Sequence, residues 1–154
     1  MIKAIISDFS RVLIFPKDDS YQGSMNDLYR EKIKLADFRM LDHYRLNTEL
    51  LNYYANQSRF PAYIFTSGAS LHLDPLVKPE LEKSFKGIYS AGEIGADKNT
   101  AESYKLICEK LGLNPAEVLF IDDTAENIEA ARQAGLQTHH YKDNAELIAF
   151  LDKI

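Results

Sequence analysis

Four short segments of this 154-residue chain carry side chains that could do chemistry together. Asp8 follows the apolar run Ile5-Ile6. Thr66, with Ser67 and Gly68 behind it, follows Tyr63-Ile64-Phe65. Lys98 stands at the head of a helical stretch. Asp122-Asp123 follow Val118-Leu119-Phe120-Ile121. The types are complementary. Asp8 and Asp123 offer two hard oxygen ligands, which suit Mg²⁺ completed by a main-chain carbonyl, waters and a phosphate oxygen. Such a cation offsets the repulsion between a carboxylate nucleophile and a phosphate dianion. The Thr66 hydroxyl, the Ser67 amide and the Lys98 ammonium can hold the other phosphoryl oxygens. Asp8 is then the candidate nucleophile, forming an aspartyl-phosphate. Taken alone, each residue has a plainer reading: a turn or cap for Asp8 and Asp122-Asp123, a strand end for Thr66, a solvated cation for Lys98. Their joint order points to a site.

The elements that must position them follow from the apolar pattern. Short, nearly continuous apolar runs at 3–7, 62–65, 87–89, 118–121 and 137–141 predict buried strands, the last more polar as suits an edge. Helical spacing lies between them. Asn99-x-x-Glu102 predicts a capped start, with Tyr104, Ile107, Cys108 and Leu111 on one face and Gly112 as the stop. Thr124 can cap 125–134, ended by Gly135. Asp143-x-x-Glu146 opens a last helix, and 47–56 forms another. The expectation is an α/β chain with a five-stranded parallel sheet covered by helices on both faces. In such a sheet, ligands bind beyond the carboxyl ends of the strands, where strand order reverses. Short loops and right-handed crossovers bring Asp8, Thr66 and Asp122-Asp123 to that edge. Residues 15–45 break the alternation with turn chemistry (Pro16 to Ser20) and then a mixed aromatic and basic stretch. They read as an insertion with one or two short helices, too small to bury a core alone. The whole chain, 1–154, reads as one domain with this insertion within it.

Composition narrows the function. Net charge is -5 and the isoelectric point about 5.4, which favours neither nucleic acid nor an anionic membrane as partner. The apolar N-terminus reaches Asp8 too soon for a signal peptide or a membrane span, so a reducing cytoplasm is the expected location. The single Cys108 excludes an intramolecular disulfide, and its apolar setting predicts a buried, inert thiol. His43 and His72 are isolated, and adjacent His139 and His140 point to opposite faces of a strand, so no zinc cluster is expected.

The order of these segments resembles the haloacid dehalogenase (HAD) superfamily. The run from Phe120 to Gly135 looks like its fourth motif, Asp-Asp-x-x-x-Asn-Ile-x-x-Ala-x-x-x-Gly. That resemblance implies that Asp123 is a direct metal ligand, Asp122 a second layer behind it, and Asn127 an orienting residue for the loop or for Lys98. Gly95-Ala96-Asp97-Lys98-Asn99 resembles the third motif through its lysine, and Thr66 fits the second. The first motif, usually Asp-x-Asp-Gly-Thr or Asp-x-Asp-Gly-Val, reads Asp8-Phe9-Ser10-Arg11-Val12 here. Its nucleophile is kept, and the Ser10 main-chain carbonyl can still bind the metal. The second Asp, the general acid and base, is replaced by Ser10, a loss worth roughly 10²–10⁴ in rate. Arg11 replaces the turn glycine.

The resemblance therefore implies an Mg²⁺-dependent phosphomonoester hydrolase, slow or specialised, acting on a phosphorylated small molecule or a phosphoprotein; the sequence does not fix the oligomeric state, and a monomer is the default expectation. The rival reading is an impaired module of the same fold that binds a phosphorylated ligand or protein partner without turnover. A phosphorelay receiver also uses acids, Thr and Lys, but its acid pair comes first in the chain and here it comes last. A dehalogenase also lacks the second Asp but has no use for the acidic pair Asp122-Asp123.

Overall fold

The computed structural model describes residues 1–57, 59–68 and 70–154. The chain opens with β1 (Ala4–Ser7) and β2 (Ile14–Pro16), then α1 (Met25–Lys32), α2 (Met40–His43), β3 (Tyr44–Leu46) and α3 (Thr48–Asn56). It continues through β4 (Ala62–Thr66), α4 (Lys78–Glu82), β5 (Gly87–Ser90), α5 (Ala91–Ile94) and α6 (Ala101–Leu111). It ends with β6 (Val118–Asp122), α7 (Ala125–Gln133), β7 (Gln137–His140) and α8 (Asn144–Leu151). Five strands form one parallel sheet in the order β5-β4-β1-β6-β7.

The burial of each strand follows its place. Every residue of the central β1 and of β6 is buried, whereas the edge strands β5 and β7 hold no fully buried residue. Successive side chains of β1 enter opposite layers. Ile5 packs with Leu13, Leu50 and Leu147 on one face, and Ile6 with Phe65, Tyr104, Ile107 and Phe120 on the other. The strand order reverses at β1: the chain moves out to β4 and β5, then crosses back to β6. Ser7 is paired with Ile64 on one side and Ile121 on the other. Asp8, Thr66 and Asp122 thus emerge at one edge of the sheet.

Several local signals behave as read, and two differ. Asn47 accepts from the Leu50 amide and Asp143 from the Glu146 amide, each as an N-cap. Gly112 and Gly135, at φ 67° and 94°, stop α6 and α7 in the left-handed region open to glycine. The capping box expected at Asn99 does not form. The Thr100 amide and hydroxyl both donate to the Asp97 carbonyl, at 3.0 and 2.6 Å, so the chain turns one residue later. Thr124 occupies the N-cap of α7, but its side chain makes no cap bond.

Residues 14–46 leave the sheet and return through an antiparallel pair in which Ile14 faces Leu46 and Pro16 faces Tyr44. Between the two strands lie α1 and α2. Met25, Leu28, Met40 and Tyr44 are buried against the same apolar layer as Ile5, and the Tyr44 hydroxyl donates to the Met25 carbonyl at 3.0 Å. No helix among the described residues is long and apolar enough to cross a membrane.

Candidate active site

Asp8 continues the ladder of β1: its amide donates to the Ile121 carbonyl at 2.8 Å. That bond sets it beside the end of β6, where the acidic pair begins. One carboxylate oxygen from each of Asp8, Asp122 and Asp123 lies within 4.8 Å of the other two. Lys98 closes the group. It comes from the turn between α5 and α6, and α5 is fixed at both ends, by a Ser90–Glu93 capping box and by Gly95 at φ 87°. From there the side chain runs inward until only 4% of it is exposed. Its ammonium bonds to the Asp8 carboxylate and lies 2.8 Å from that of Asp122. The rings of Phe65 and Phe120 flank it at 5.8 and 5.5 Å from their centroids, within cation–π reach.

Asp122 is fully buried and fully engaged. Besides Lys98, it accepts from the Thr124 amide at 2.8 Å and from the Asn127 amide group at 3.0 Å. Asn127 therefore acts on Lys98 through Asp122. Asp123 accepts from the Thr124 hydroxyl at 3.4 Å through its carboxylate. Its carbonyl accepts from His140 Nε2 at 2.8 Å, which places the ring proton on that nitrogen.

Burial pushes the Asp8 carboxyl up to about 7 against the pull of Lys98, with Asp122 adding to the rise. Burial and then Asp122 push Asp123 up to about 6. Burial alone would lower Lys98, but Asp8 and then Asp122 outweigh it and hold the ammonium above its ordinary value. The two partners of one ion pair thus point apart, since a raised Asp8 favours a neutral acid. Geometry decides for the ion pair, because one ammonium bonds to two carboxylates at once and its charge is what those contacts require. Three carboxylates still share one ammonium, and that excess of negative charge is what a divalent cation relieves.

Asp8, Ser10, Ser67, Lys98, Asp123 and Asn127 surround one cavity of about 170 Å³. Two of the residues singled out from sequence are not on its wall: Asp122 lies beneath, and Thr66 is buried one residue behind Ser67 at the end of β4. Residues not anticipated join it, namely Arg11, Thr124 and the start of α1 at Ser24, Met25 and Asn26. A larger cavity of about 650 Å³ opens at the opposite end of β4 beside Pro61 and Ala62, away from the convergent acids.

Arg11 explains how α1 arrives. The Val12, Leu13 and Ile14 amides all donate to the Phe9 carbonyl, which curls the chain tightly after Asp8. Arg11 sits in that curl at φ 59°, the left-handed conformation that costs a side chain about 1–2 kcal/mol. The turn that a glycine would make is therefore kept with an arginine. Its guanidinium donates to the Tyr21 and Gly23 carbonyls at 3.2 and 2.7 Å, one turn ahead of α1. The signal was present in sequence only as an arginine at a turn.

A parallel sheet that reverses at β1, with three acids and a buried lysine at its carboxyl edge, is the arrangement of a HAD-type hydrolase. The chain belongs to the haloacid dehalogenase-like hydrolase family, whose sequence profile matches residues 16–135. Over 81 residues it is 35% identical to enolase-phosphatase E1 of Aquifex aeolicus, a match that covers 50% of this chain and 35% of that enzyme. The chain spans about a third of the length of the curated relatives it matches first. In three dimensions it resembles a HAD family enzyme of Bacteroides thetaiotaomicron crystallised with magnesium and inorganic phosphate. The TM-score is 0.73 at 18% identity, over 96% of this chain and 99% of that one. A predicted HAD-like family hydrolase of Porphyromonas gingivalis gives a TM-score of 0.70 at 17% identity, over 100% and 99% of the two chains.

Proposed function

We propose that this protein is an Mg²⁺-dependent phosphomonoester hydrolase working through an aspartyl-phosphate on Asp8. The observation that carries the proposal is the convergence of Asp8, Asp122 and Asp123 around the Lys98 ammonium on the wall and floor of one cavity. Phosphatase-named relatives, and a fold neighbour crystallised with magnesium and inorganic phosphate, support the same reading.

In this reading Asp8, Asp123 and the Ser10 carbonyl hold the cation, a donor set of hard oxygens that fits it. The cation supplies Lewis-acid neutralisation of the phosphate charge. Lys98 holds a phosphoryl oxygen and keeps Asp8 ionised as the nucleophile. Ser67, on the cavity wall, offers its amide, and Thr66 behind it fixes the end of β4. Asn127 and the Thr124 amide hold Asp122, and Asp122 in turn aims Lys98. The substrate is a phosphorylated small molecule, because α1 brings Ser24 to Asn26 up to a cavity of only about 170 Å³.

A panel of phosphate esters with Mg²⁺ tests this directly. Asp8→Asn, nearly isosteric, should release no phosphate above background. Turnover that survives intact in that variant would remove Asp8 from the nucleophile's role. A second reading draws on Ser10: if the parent is inactive on every ester yet binds phosphate in the presence of Mg²⁺, the protein is a binding module on the same fold.

A further inference from the structure

We infer that this site works in two unequal halves. Asp8 accepts a phosphoryl group readily from an aryl or acyl phosphate and then holds it, so that the aspartyl-phosphate accumulates. This rests on Asp8 being the nucleophile, as proposed above.

In-line displacement at phosphorus sets the attacking and leaving oxygens on opposite sides. A basic leaving oxygen needs a proton donor on its own side, and the water that later attacks from that side needs a base there. Among the described residues lining the cavity, the side chains with acid–base chemistry besides Arg11 are Asp8, Asp123 and Lys98. Asp8 is the attacking group. Lys98 is held by the Asp8 and Asp122 carboxylates, and Asp123 is taken up by the cation in the reading above, so neither is free to serve the leaving oxygen. The other polar groups on the wall are hydroxyls, amides and the Arg11 guanidinium. Arginine does not give up its proton in proteins, and this one is committed to the carbonyls of Tyr21 and Gly23.

The bonds then balance as follows. In the first half, an Asp8 carboxylate oxygen bonds to phosphorus. The bond from phosphorus to the leaving oxygen breaks, and its electron pair departs as phenolate or carboxylate. No proton moves, so the missing donor costs little with these leaving groups. In the second half, a water oxygen bonds to phosphorus, and the bond to the Asp8 oxygen breaks and restores the carboxylate. The water's proton passes to solvent without a protein base. Absence of such a base costs roughly 10²–10⁴ in rate, whatever the donor was. The first half therefore selects activated phosphates, and the second is slow for all of them.

Rapid mixing of the protein and Mg²⁺ with 4-nitrophenyl phosphate, and separately with acetyl phosphate, tests this. The expected result is a burst of nitrophenol stoichiometric with protein, then a slow phase of equal rate for both donors. Intact-protein mass should rise by one phosphoryl group, removable by hydroxylamine and absent in Asp8→Asn. Ser10→Asp, which puts a carboxylate on the cavity wall, should speed the slow phase by roughly 10²-fold or more and shrink the burst. Linear release without a phosphorylated protein, in turnover that still needs Asp8, would overturn accumulation and leave the hydrolase reading standing. Release unchanged by Asp8→Asn, or none from either donor, would overturn both.

Discussion

Lys98 is the residue on which the site's electrostatics turn. It is a buried cation whose two bonded carboxylates, Asp8 and Asp122, are nearly or fully removed from solvent. Removing one partner of such a group leaves the others without compensation. Lys98→Met keeps the volume and deletes the charge, so it should lower stability by roughly 3–5 kcal/mol at neutral pH, read by urea unfolding without added Mg²⁺. A variant as stable as the parent would show that the carboxylates do not depend on the ammonium. At this scale the sequence was only partly informative. Asp8 and Asp122-Asp123 were conspicuous because a carboxylate directly after a buried strand has few places to go. The burial of Lys98 between Phe65 and Phe120 was not visible, since it depends on a turn with no apolar periodicity. His140 gave no signal either, because its bond is to a main-chain carbonyl that any residue at 123 would offer.

Among the elements, the loop from Asp8 to β2 is the joint between the sheet and the helices at 25–32 and 40–43. Arg11 makes that joint by accepting a left-handed φ and bonding to two carbonyls just before α1. Arg11→Gly removes a backbone cost of about 1–2 kcal/mol and loses two charge-assisted bonds, worth up to about 1.5–3 kcal/mol each when well shielded and less near solvent. Gain and loss offset in the global melting temperature and separate locally. Amides from 21 to 32 should exchange faster with deuterium, while those of β1 and β6 keep the parent's protection. Unchanged exchange in α1 would mean that Met25, Leu28 and Tyr44 hold the helix without the arginine. The strands and most helices were legible from apolar spacing and from caps such as Asp143. The short pair β2–β3 was not, because three-residue strands pair through backbone bonds and leave almost no side-chain pattern.

For the whole molecule, the order of strands follows from burial: the chain places its most apolar runs, β1 and β6, inside the sheet and its polar run, β7, at the edge. That edge carries a pH dependence. Burial lowers His139, which packs on Phe150 at 4.5 Å between ring centroids, below its model-compound value of 6.5. A base with a depressed pKa binds its proton more tightly in the unfolded chain. Its contribution to stability is therefore present above pH 6.5 and is lost as pH falls through the lower folded value. His139→Gln should flatten the decline in melting temperature below that pH; an unchanged profile would assign the decline to other groups.

The core position of Cys108 has a practical outcome for experiments. The side chain is 1% exposed on α6, and burial pushes its thiol up to about 11. Alkylation proceeds through the thiolate, so maleimides and spin labels will pass this residue by while the protein is folded. A new cysteine at Lys34, on the exposed stretch between α1 and α2, would be the one thiol that a dye finds. The chain thus accepts a reporter between α1 and α2 without first being stripped of its native sulfur.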